Sequence, residues 1–324
     1  MRARQRWLFA VLPLLILGFG GEGALRLAGW PKKDPGREFT HGDVYWVEQG
    51  SLHLEPFPHK ETGGTFRVST DANGLRTPLH AEKKPDGVFR VMTLGCSTTF
   101  GWGVDDDATM PARLEALLGE AGHPVEVING GQPGHSSFQG LWLWDKTLAR
   151  YEPDLVIFGY VVQDARMVAY SDSSQALLQQ NADFLKQSLL HQSRLYMGGK
   201  QLLAAWQIRN KDVAANSTVN RVPPDEYVEN IRAFKARADA VGAKFALFGF
   251  PLERAGYTAE HRGVLRSASE VLGVPYHDPQ ADFERWSAGE TLFFPQDRGH
   301  ANAAGLDKIA KGMAQFLIAE RLVP

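Results

Sequence analysis

The stretch Arg90-Val-Met-Thr-Leu-Gly-Cys-Ser-Thr-Thr-Phe-Gly101 contains a short apolar run that stops at Gly95 and is followed almost at once by Ser97. A brief apolar run that ends at glycine is typical of a buried strand, and the residues after it predict a tight turn into a helix. Near the other end of the chain, Asp297-Arg-Gly-His300 lies in a predicted loop before another helical pattern. A serine on such an elbow, a histidine and a nearby carboxylate are the nucleophile, base and orienting acid of a catalytic triad. We therefore predict that these distant segments meet in the fold.

From residue 87 onward the sequence alternates short apolar runs with stretches of helical periodicity. Such alternation predicts an α/β domain in which a parallel sheet is covered by helices. We expect a three-layer α/β/α sandwich around a five-stranded, mainly parallel, flavodoxin-like sheet. The expected strands are Val88–Leu94, Val125–Asn129, Leu155–Tyr160, Lys244–Phe250 and Val274–His277, and the expected helices are Met110–Ala121, Ser137–Arg150, Asp225–Val241, Ala259–Leu272 and Ala303–Arg321.

Three loops of this expected sheet carry candidate site residues. Ligands of an open parallel sheet bind beyond the carboxyl ends of the strands, at the point where the strand order reverses. For these strands that point lies between the first and the third. Ser97 follows the first expected strand, Gly134 follows the second and Gln163 follows the third. We expect the three loops to converge on one crevice.

Taken together, the serine elbow and the Asp297–His300 loop resemble the SGNH (GDSL-like) esterase and acyltransferase superfamily. Ser97 matches the nucleophile of the family's first block, although Cys96 stands where the family usually has aspartate. The fourth block, which supplies the orienting acid and the base, matches Asp297 and His300 and continues into Ala301-Asn-Ala-Ala-Gly305. The resemblance therefore implies the same three catalytic residues that the residue types suggest.

The second and third blocks of the family supply the oxyanion hole. Val127-Ile-Asn-Gly-Gly-Gln-Pro-Gly134 matches the second block, and the resemblance implies that the N–H groups of Ser97 and Gly134 stabilise the oxyanion. After the third strand the family has Gly-x-Asn-Asp, whereas this chain has Val161-Val-Gln-Asp164. Gln163 thus stands at the position of an oxyanion-hole asparagine. Its amide can donate a hydrogen bond, but its side chain is one methylene longer.

Other stretches, Ser69–Arg76 and Val222–Tyr227, resemble a membrane-anchored bacterial branch of the superfamily, and the resemblance covers roughly residues 65–320. It implies a serine esterase that acts through an acyl-enzyme on ester-linked O-acyl or O-acetyl groups of a small molecule or carbohydrate, such as an envelope or exported polysaccharide. It also implies envelope polysaccharide-modification proteins as partners. Acyl transfer to a glycan is one alternative. An inactive glycan-binding or scaffold protein is another, favoured by the departures at Val161 and Gln163.

Several alternatives remain open at the level of the sequence. Asp278 also ends an expected strand, so it competes with Asp297 as the acid that orients the histidine. Cys96 competes with Ser97 as nucleophile, although a lone cysteine also reads as a small buried residue. The segment at about 171–221 interrupts the α/β alternation and reads as a helical insertion. Its leucines, Leu185, Leu189, Leu190 and Leu195, form either a lid over the site or an additional packed helical pair.

Composition excludes several classes of function. The chain has 35 basic and 37 acidic residues and a net charge of −2, so it lacks the basic excess of a nucleic-acid-binding protein. Its single cysteine allows no intramolecular disulfide and no zinc cluster. The histidines show none of the recognised metal-binding spacings. We expect neither a metal nor another cofactor.

The N-terminus carries a possible targeting signal. Three arginines precede a fifteen-residue apolar run from Trp7 to Gly21, which is shorter than the ~20 residues needed to span a bilayer. An uncleaved anchor, a cleaved signal peptide and a buried helix are all compatible with it; we expect the anchor. The arginines favour the cytoplasmic side, which places the catalytic domain outside the cytoplasm, in the periplasm or at the cell surface.

The expected organisation has three parts. Residues 1–30 form the anchor or signal segment, residues 31–86 an irregular lead-in and residues 87–324 the catalytic domain. The lead-in contains strand-like runs at Val44–Val47 and Thr65–Val68 and an Asn73-Gly74 turn signal. It carries no recognisable catalytic motif, and we expect it to pack on the catalytic domain.

Overall fold

The computed structural model describes residues 18–30, 37–41, 45–180, 192–209, 217–295, 297 and 299–324. The strands are β1 (Arg37–His41), β2 (Tyr45–Glu48), β3 (Glu55–His59), β4 (Gly64–Val68), β5 (Arg90–Gly95), β6 (Glu126–Gly131), β7 (Leu155–Phe158), β8 (Met167–Val168), β9 (Val219–Asn220), β10 (Lys244–Phe248) and β11 (Tyr276–His277). From residue 97 onward, the α-helices of the described chain are α1 (Ser97–Phe100), α2 (Met110–Glu120), α3 (Ser137–Lys146), α4 (Asp172–Gln180), α5 (Arg194–Arg209), α6 (Pro224–Ala240), α7 (Ala259–Leu272), α8 (Gln280–Ser287) and α9 (Ala303–Ala319).

The central sheet has five strands in the order β11-β10-β7-β5-β6, and every pairing in it is parallel. Numbered along the chain, this is the 2-1-3-4-5 order of flavodoxin-like sheets. The predicted fold class is confirmed. The strand order reverses between β5 and β7, so the crevice expected from the sequence lies where the elements after these two strands meet.

Burial explains why the short apolar runs of the sequence form the strands of this sheet. All six residues of β5 are buried, because the strand is central and covered on both faces. Helices flank the sheet in two groups, with α2 packed against α9 and α6 packed against α3 and α7. Each large apolar side chain that leaves water here contributes roughly 1.5–3 kcal/mol. Thr109 caps α2 by accepting a hydrogen bond from the Ala112 N–H at 3.4 Å, as its position before Pro111 predicts.

Two helical regions differ from the sequence-based expectation. The expected helix at residues 137–150 is interrupted at Thr147, and Leu148–Tyr151 continues as a short 3-10 helix. Helix α8, Gln280–Ser287, was not predicted. Proline is common at helix starts, and Pro279 directly precedes α8. The helix is short and follows β11 closely, so its periodic pattern is short.

The lead-in forms two antiparallel hairpins, β1–β2 and β3–β4. The runs that resemble strands in the sequence became β2 and β4, whereas β3 was missed because it carries prolines at positions 56 and 58. The Asn73-Gly74 turn is present, with the Gly74 N–H donating to the Asp71 carbonyl at 3.2 Å. The side chain of Gln132, beyond β6, accepts from the Glu48 N–H and donates to the Gly74 carbonyl. The lead-in is thus held against the sheet domain.

The segment at 171–221 contains α4 and α5, and the β8–β9 pair joins its two ends. Residues 18–27 are helical, and the carboxylate of Glu22 accepts hydrogen bonds from the N–H groups of Arg194 and Leu195 at the start of α5. The other leucines of the expected lid, Leu185, Leu189 and Leu190, lie outside the described residues. In the part of the chain that the structure describes, no helix is both long enough and apolar enough to cross a membrane. Most of the run from Trp7 to Gly21 also lies outside those residues, so the anchor stays a prediction.

Candidate active site

The serine elbow has the shape that the sequence predicts. Strand β5 ends at Gly95, and α1 begins two residues later with Ser97 as its first residue. The Gly95 carbonyl accepts a hydrogen bond from the Gln132 N–H at 3.1 Å, which ties the end of β5 to the loop after β6. Ser97 is 7% exposed, so it is largely buried where β5 ends.

The three predicted triad side chains are in hydrogen-bond contact. The Oγ of Ser97 lies 2.7 Å from Nε2 of His300, and Nδ1 of the same ring lies 2.5 Å from Oδ2 of Asp297. An ionised carboxylate can only accept, so Nδ1 carries the ring proton and Nε2 accepts from the serine hydroxyl. This tautomer is the one in which the histidine can take the proton of Ser97.

The environment of Asp297 favours its ionised form. Burial on its own raises the pKa of this carboxyl, but several interactions outweigh it. They are the hydrogen bond and electrostatic attraction of His300, the electrostatic attraction of His59 and the N–H of Gly299, and together they hold the pKa of Asp297 below its usual value. The carboxylate is therefore available to balance a positive charge on the His300 ring.

The competing assignments do not share this geometry. Asp278 pairs with Arg262 at 2.6 Å and accepts from the Tyr276 hydroxyl at 2.8 Å. Its carboxylate thus belongs to a separate ion pair at the end of β11. Cys96 is 1% exposed, and burial raises the pKa of its thiol, which disfavours the reactive thiolate.

The backbone N–H groups of Gly134 and Ser97 are the predicted donors of the oxyanion hole. Gly134 has φ of +81°, a conformation that side chains rarely adopt, in the loop after β6. A Cβ added there would also lie 3.2 Å from the Trp46 ring, which approaches from the lead-in. Within the described residues, neither the Gly134 N–H nor the Ser97 N–H donates to a protein acceptor. Their role as oxyanion donors stays a prediction.

Gln163 lies in the loop after β7 and is partly buried. Its Oε1 accepts a hydrogen bond from Nη1 of Arg221 at 3.0 Å. Because arginine only donates, this contact fixes the orientation of the amide and directs its NH₂ group away from the guanidinium. Within the described residues, the Gln163 NH₂ group makes no hydrogen bond, and its role in the oxyanion hole stays a prediction.

Arg221 joins the two loops that carry the candidate oxyanion donors. The same Nη1 donates to the Gly134 carbonyl at 2.7 Å, and Nη2 donates to Gln139 at 2.9 Å. The guanidinium also pairs with both carboxylate oxygens of Asp172, at 3.0 and 2.7 Å. Sequence analysis missed this residue, because it ends a segment without a recognisable motif.

A second missed residue, His59, comes from the lead-in. Its Nε2 lies 3.6 Å from Oδ2 of Asp297, and its Nδ1 lies 3.5 Å from the Glu61 carboxylate. These three side chains are close enough to one another to hold a metal ion. However, the two carboxylates face opposite edges of one imidazole, and the Asp297 oxygen already accepts from His300. We therefore assign no metal to this group.

Comparison with known proteins supports the fold. No family model matches the chain, and no curated protein is significantly similar in sequence. Among solved structures, the lipase/acylhydrolase from Enterococcus faecalis is similar at 14% identity and a TM-score of 0.50, over 73% of this chain and 98% of that chain. TesA is similar at 18% identity and a TM-score of 0.48, over 70% and 97% of the two chains. A catalytic mutant of Axe2, an acetylxylan esterase from Geobacillus stearothermophilus, is similar at 15% identity and a TM-score of 0.46, over 72% of this chain and 96% of that chain.

At sequence identities of 14–18%, the similarity between this chain and the solved structures shows a common fold only. The chain has the SGNH hydrolase fold, a five-stranded parallel sheet flanked by helices. The resemblance that the four sequence blocks indicate is therefore confirmed at the level of architecture.

Proposed function

We propose that this chain is a serine ester hydrolase that acts through an acyl-enzyme. The observation that supports it most directly is the pair of contacts at His300, 2.7 Å to the Ser97 hydroxyl and 2.5 Å to the Asp297 carboxylate. A binding protein has no need of a base and an orienting acid aligned on one serine hydroxyl. The aligned triad thus favours an enzyme over an inactive member.

In the proposed reaction, His300 takes the proton of Ser97 as the serine oxygen attacks the ester carbonyl. Asp297 holds the ring tautomer and balances the imidazolium charge. The N–H groups of Ser97 and Gly134, with the amide of Gln163, stabilise the oxyanion of the tetrahedral intermediate. His300 then protonates the departing alcohol, and water resolves the acyl-enzyme by the reverse proton path.

We further propose that the substrates carry small O-acyl groups, such as O-acetyl, on a carbohydrate. The resemblance to enzymes of exported polysaccharides supports the carbohydrate and a membrane-anchored, extracytoplasmic location. Acyl transfer to a glycan uses the same acyl-enzyme and differs only in the acceptor.

Ester turnover tests this proposal. The full chain should hydrolyse p-nitrophenyl acetate and release acetate from acetylated oligosaccharides, and Ser97→Ala should abolish both activities without lowering the melting temperature. Addition of a non-acetylated oligosaccharide should leave acetate release unchanged in a hydrolase and divert acetyl groups to the glycan in a transferase. Undiminished turnover by Ser97→Ala would contradict the proposal.

A further inference from the structure

The lead-in contributes a buried histidine to the surroundings of the triad. His59 is the last residue of β3, and its side chain is 2% exposed. Its Nε2 lies 3.6 Å from Oδ2 of Asp297, the same oxygen that accepts from His300. One carboxylate oxygen of the triad is thus faced by two imidazole rings from segments far apart in the sequence.

The hydrogen bonds of His59 determine which nitrogen carries its proton. The backbone N–H of Thr62 donates to Nδ1 at 3.3 Å, so Nδ1 is the acceptor in the neutral ring. The proton is therefore on Nε2, the nitrogen that faces Asp297. Nε2 is buried and makes no hydrogen bond within the described residues. A buried N–H without an acceptor is unfavourable, and Asp297 is the acceptor that it faces.

Close packing holds the ring in this place. The His59 ring lies 4.8 Å from the Phe294 ring, centroid to centroid, in the segment that leads into the triad loop. On another side, Gly103 has φ of +92°, and a Cβ added there would lie 2.7 Å from two atoms of the imidazole. The ring cannot turn away from Asp297 without displacing these neighbours. It needs to move less than about 1 Å to reach hydrogen-bond distance.

We propose that His59 is a positioning residue of the triad, whose Nε2–H donates to Asp297 and holds the carboxylate ionised and directed at His300. This inference rests on the proposed function, since it deepens the role of the same carboxylate. By sharing the negative charge of Asp297, His59 weakens the hydrogen bond that the carboxylate accepts from His300 Nδ1. The β3–β4 hairpin is then a part of the active site.

In the described part of the chain, few charged groups lie around His59 and Asp297. Asp297 faces His59 at Nε2, and Glu61, whose side chain is 47% exposed, lies 3.5 Å from Nδ1. His300 faces Asp297 and the neutral hydroxyl of Ser97. The charge of Glu61 has little influence on His59, because the Glu61 side chain is exposed and solvent screens its charge. The sign of the effect on His300 therefore follows from the contact between His59 and Asp297.

Three substitutions and one control separate this role from a structural one. His59→Leu removes the donor, His59→Asn keeps a polar group but is too short to reach, and His59→Gln retains an N–H near the position of Nε2. Phe57→Leu is the matched control, since Phe57 lies in the same strand and its ring packs against Phe66 and Trp102. It should loosen the hairpin without touching Asp297.

The readout is the signal of the proton on His300 Nδ1 in the full chain, measured by NMR with ¹⁵N-labelled histidine and assigned with His300→Gln. His59→Leu and His59→Asn should move this proton signal downfield, because the Asp297 oxygen then accepts from His300 alone and that hydrogen bond becomes stronger. His59→Gln and Phe57→Leu should leave it near the wild-type value. Turnover should fall roughly 10- to 100-fold in the first two, by analogy with outer partners of metal-ligating histidines.

An unchanged signal of the His300 Nδ1 proton in both donor-less variants would overturn the inference, as would an equal shift in Phe57→Leu. The NMR measurement does not depend on ester turnover. A chain without esterase activity that still shows the shift would therefore refute the proposed function and leave the role of His59 standing.

Discussion

Replacement of Arg221 by methionine tests whether one side chain organises both candidate oxyanion loops. Arg221 donates to the Gly134 carbonyl and to Oε1 of Gln163, and it pairs with Asp172. Methionine has similar length and fills much of the space but cannot donate a hydrogen bond. The variant Arg221→Met therefore releases both loops and leaves Asp172 without its cation.

The contacts of Arg221 predict the size of two separate effects, a loss of stability and a loss of turnover. The side chains of Arg221 and Asp172 are 12% and 6% exposed, so this is a buried pair, and removal of one partner should cost about 3–5 kcal/mol in the free energy of unfolding. A donor displaced by about 1 Å costs roughly 10²-fold in turnover, and complete loss of one oxyanion donor costs roughly 10²–10³-fold. We expect the kcat of Arg221→Met to fall by about 10²-fold with a small change in KM.

A second substitution separates stability from catalysis. Asp172→Asn keeps an acceptor for the Ser136 hydroxyl, which donates to this side chain at 2.6 Å, but removes the buried charge. The double variant Arg221→Met/Asp172→Asn should recover much of the lost stability and none of the lost turnover. Urea unfolding and saturation kinetics on p-nitrophenyl acetate measure the two effects. Wild-type kcat in a folded Arg221→Met protein would refute this account of the loops.

Three further predictions concern the site and the N-terminus. Gln163→Ala should lower kcat by about 10- to 100-fold, less than loss of a well-placed donor, whereas Gln163→Asn should retain or raise it; saturation kinetics measure both. Asp297→Asn should lower kcat by up to ~10⁴-fold because it favours the wrong histidine tautomer, while Asp278→Asn should keep it within a few-fold; the reverse result would exchange their roles. The full chain should fractionate with membranes and resist carbonate extraction, and a shortened chain that begins at Pro31 should not; a mature N-terminus between about Gly20 and Gly29 in mass spectrometry would instead indicate a cleaved signal.

The sequence predicts the central sheet because each strand carries its own local signal. Runs such as Arg90–Gly95 are short, apolar and bounded by glycine, and the helices between them have an apolar face and a recognisable cap such as Thr109. The pairing of Ser97 with His300 spans 203 positions, yet it was predictable because both residues lie at strand or helix ends that the topology brings together.

His59 and Arg221 have no comparable local signal in the sequence. His59 is a lone histidine in a strand with two prolines, and only the fold of the hairpin brings it to Asp297. Arg221 ends the segment where the α/β alternation is lost, so nothing in its neighbours indicates that it binds the Gly134 loop. Both contacts depend on tertiary geometry, which composition and periodicity do not encode.

The most direct test of the central claim is covalent labelling with a serine-reactive fluorophosphonate, followed by peptide mass spectrometry of the adduct. The account predicts one adduct per chain, located on Ser97, with labelling abolished in Ser97→Ala and strongly slowed in His300→Ala, since the base activates the hydroxyl. The buried thiol of Cys96 should remain unmodified. Absence of any adduct in the folded wild-type chain, or an adduct on a residue other than Ser97, would contradict the account.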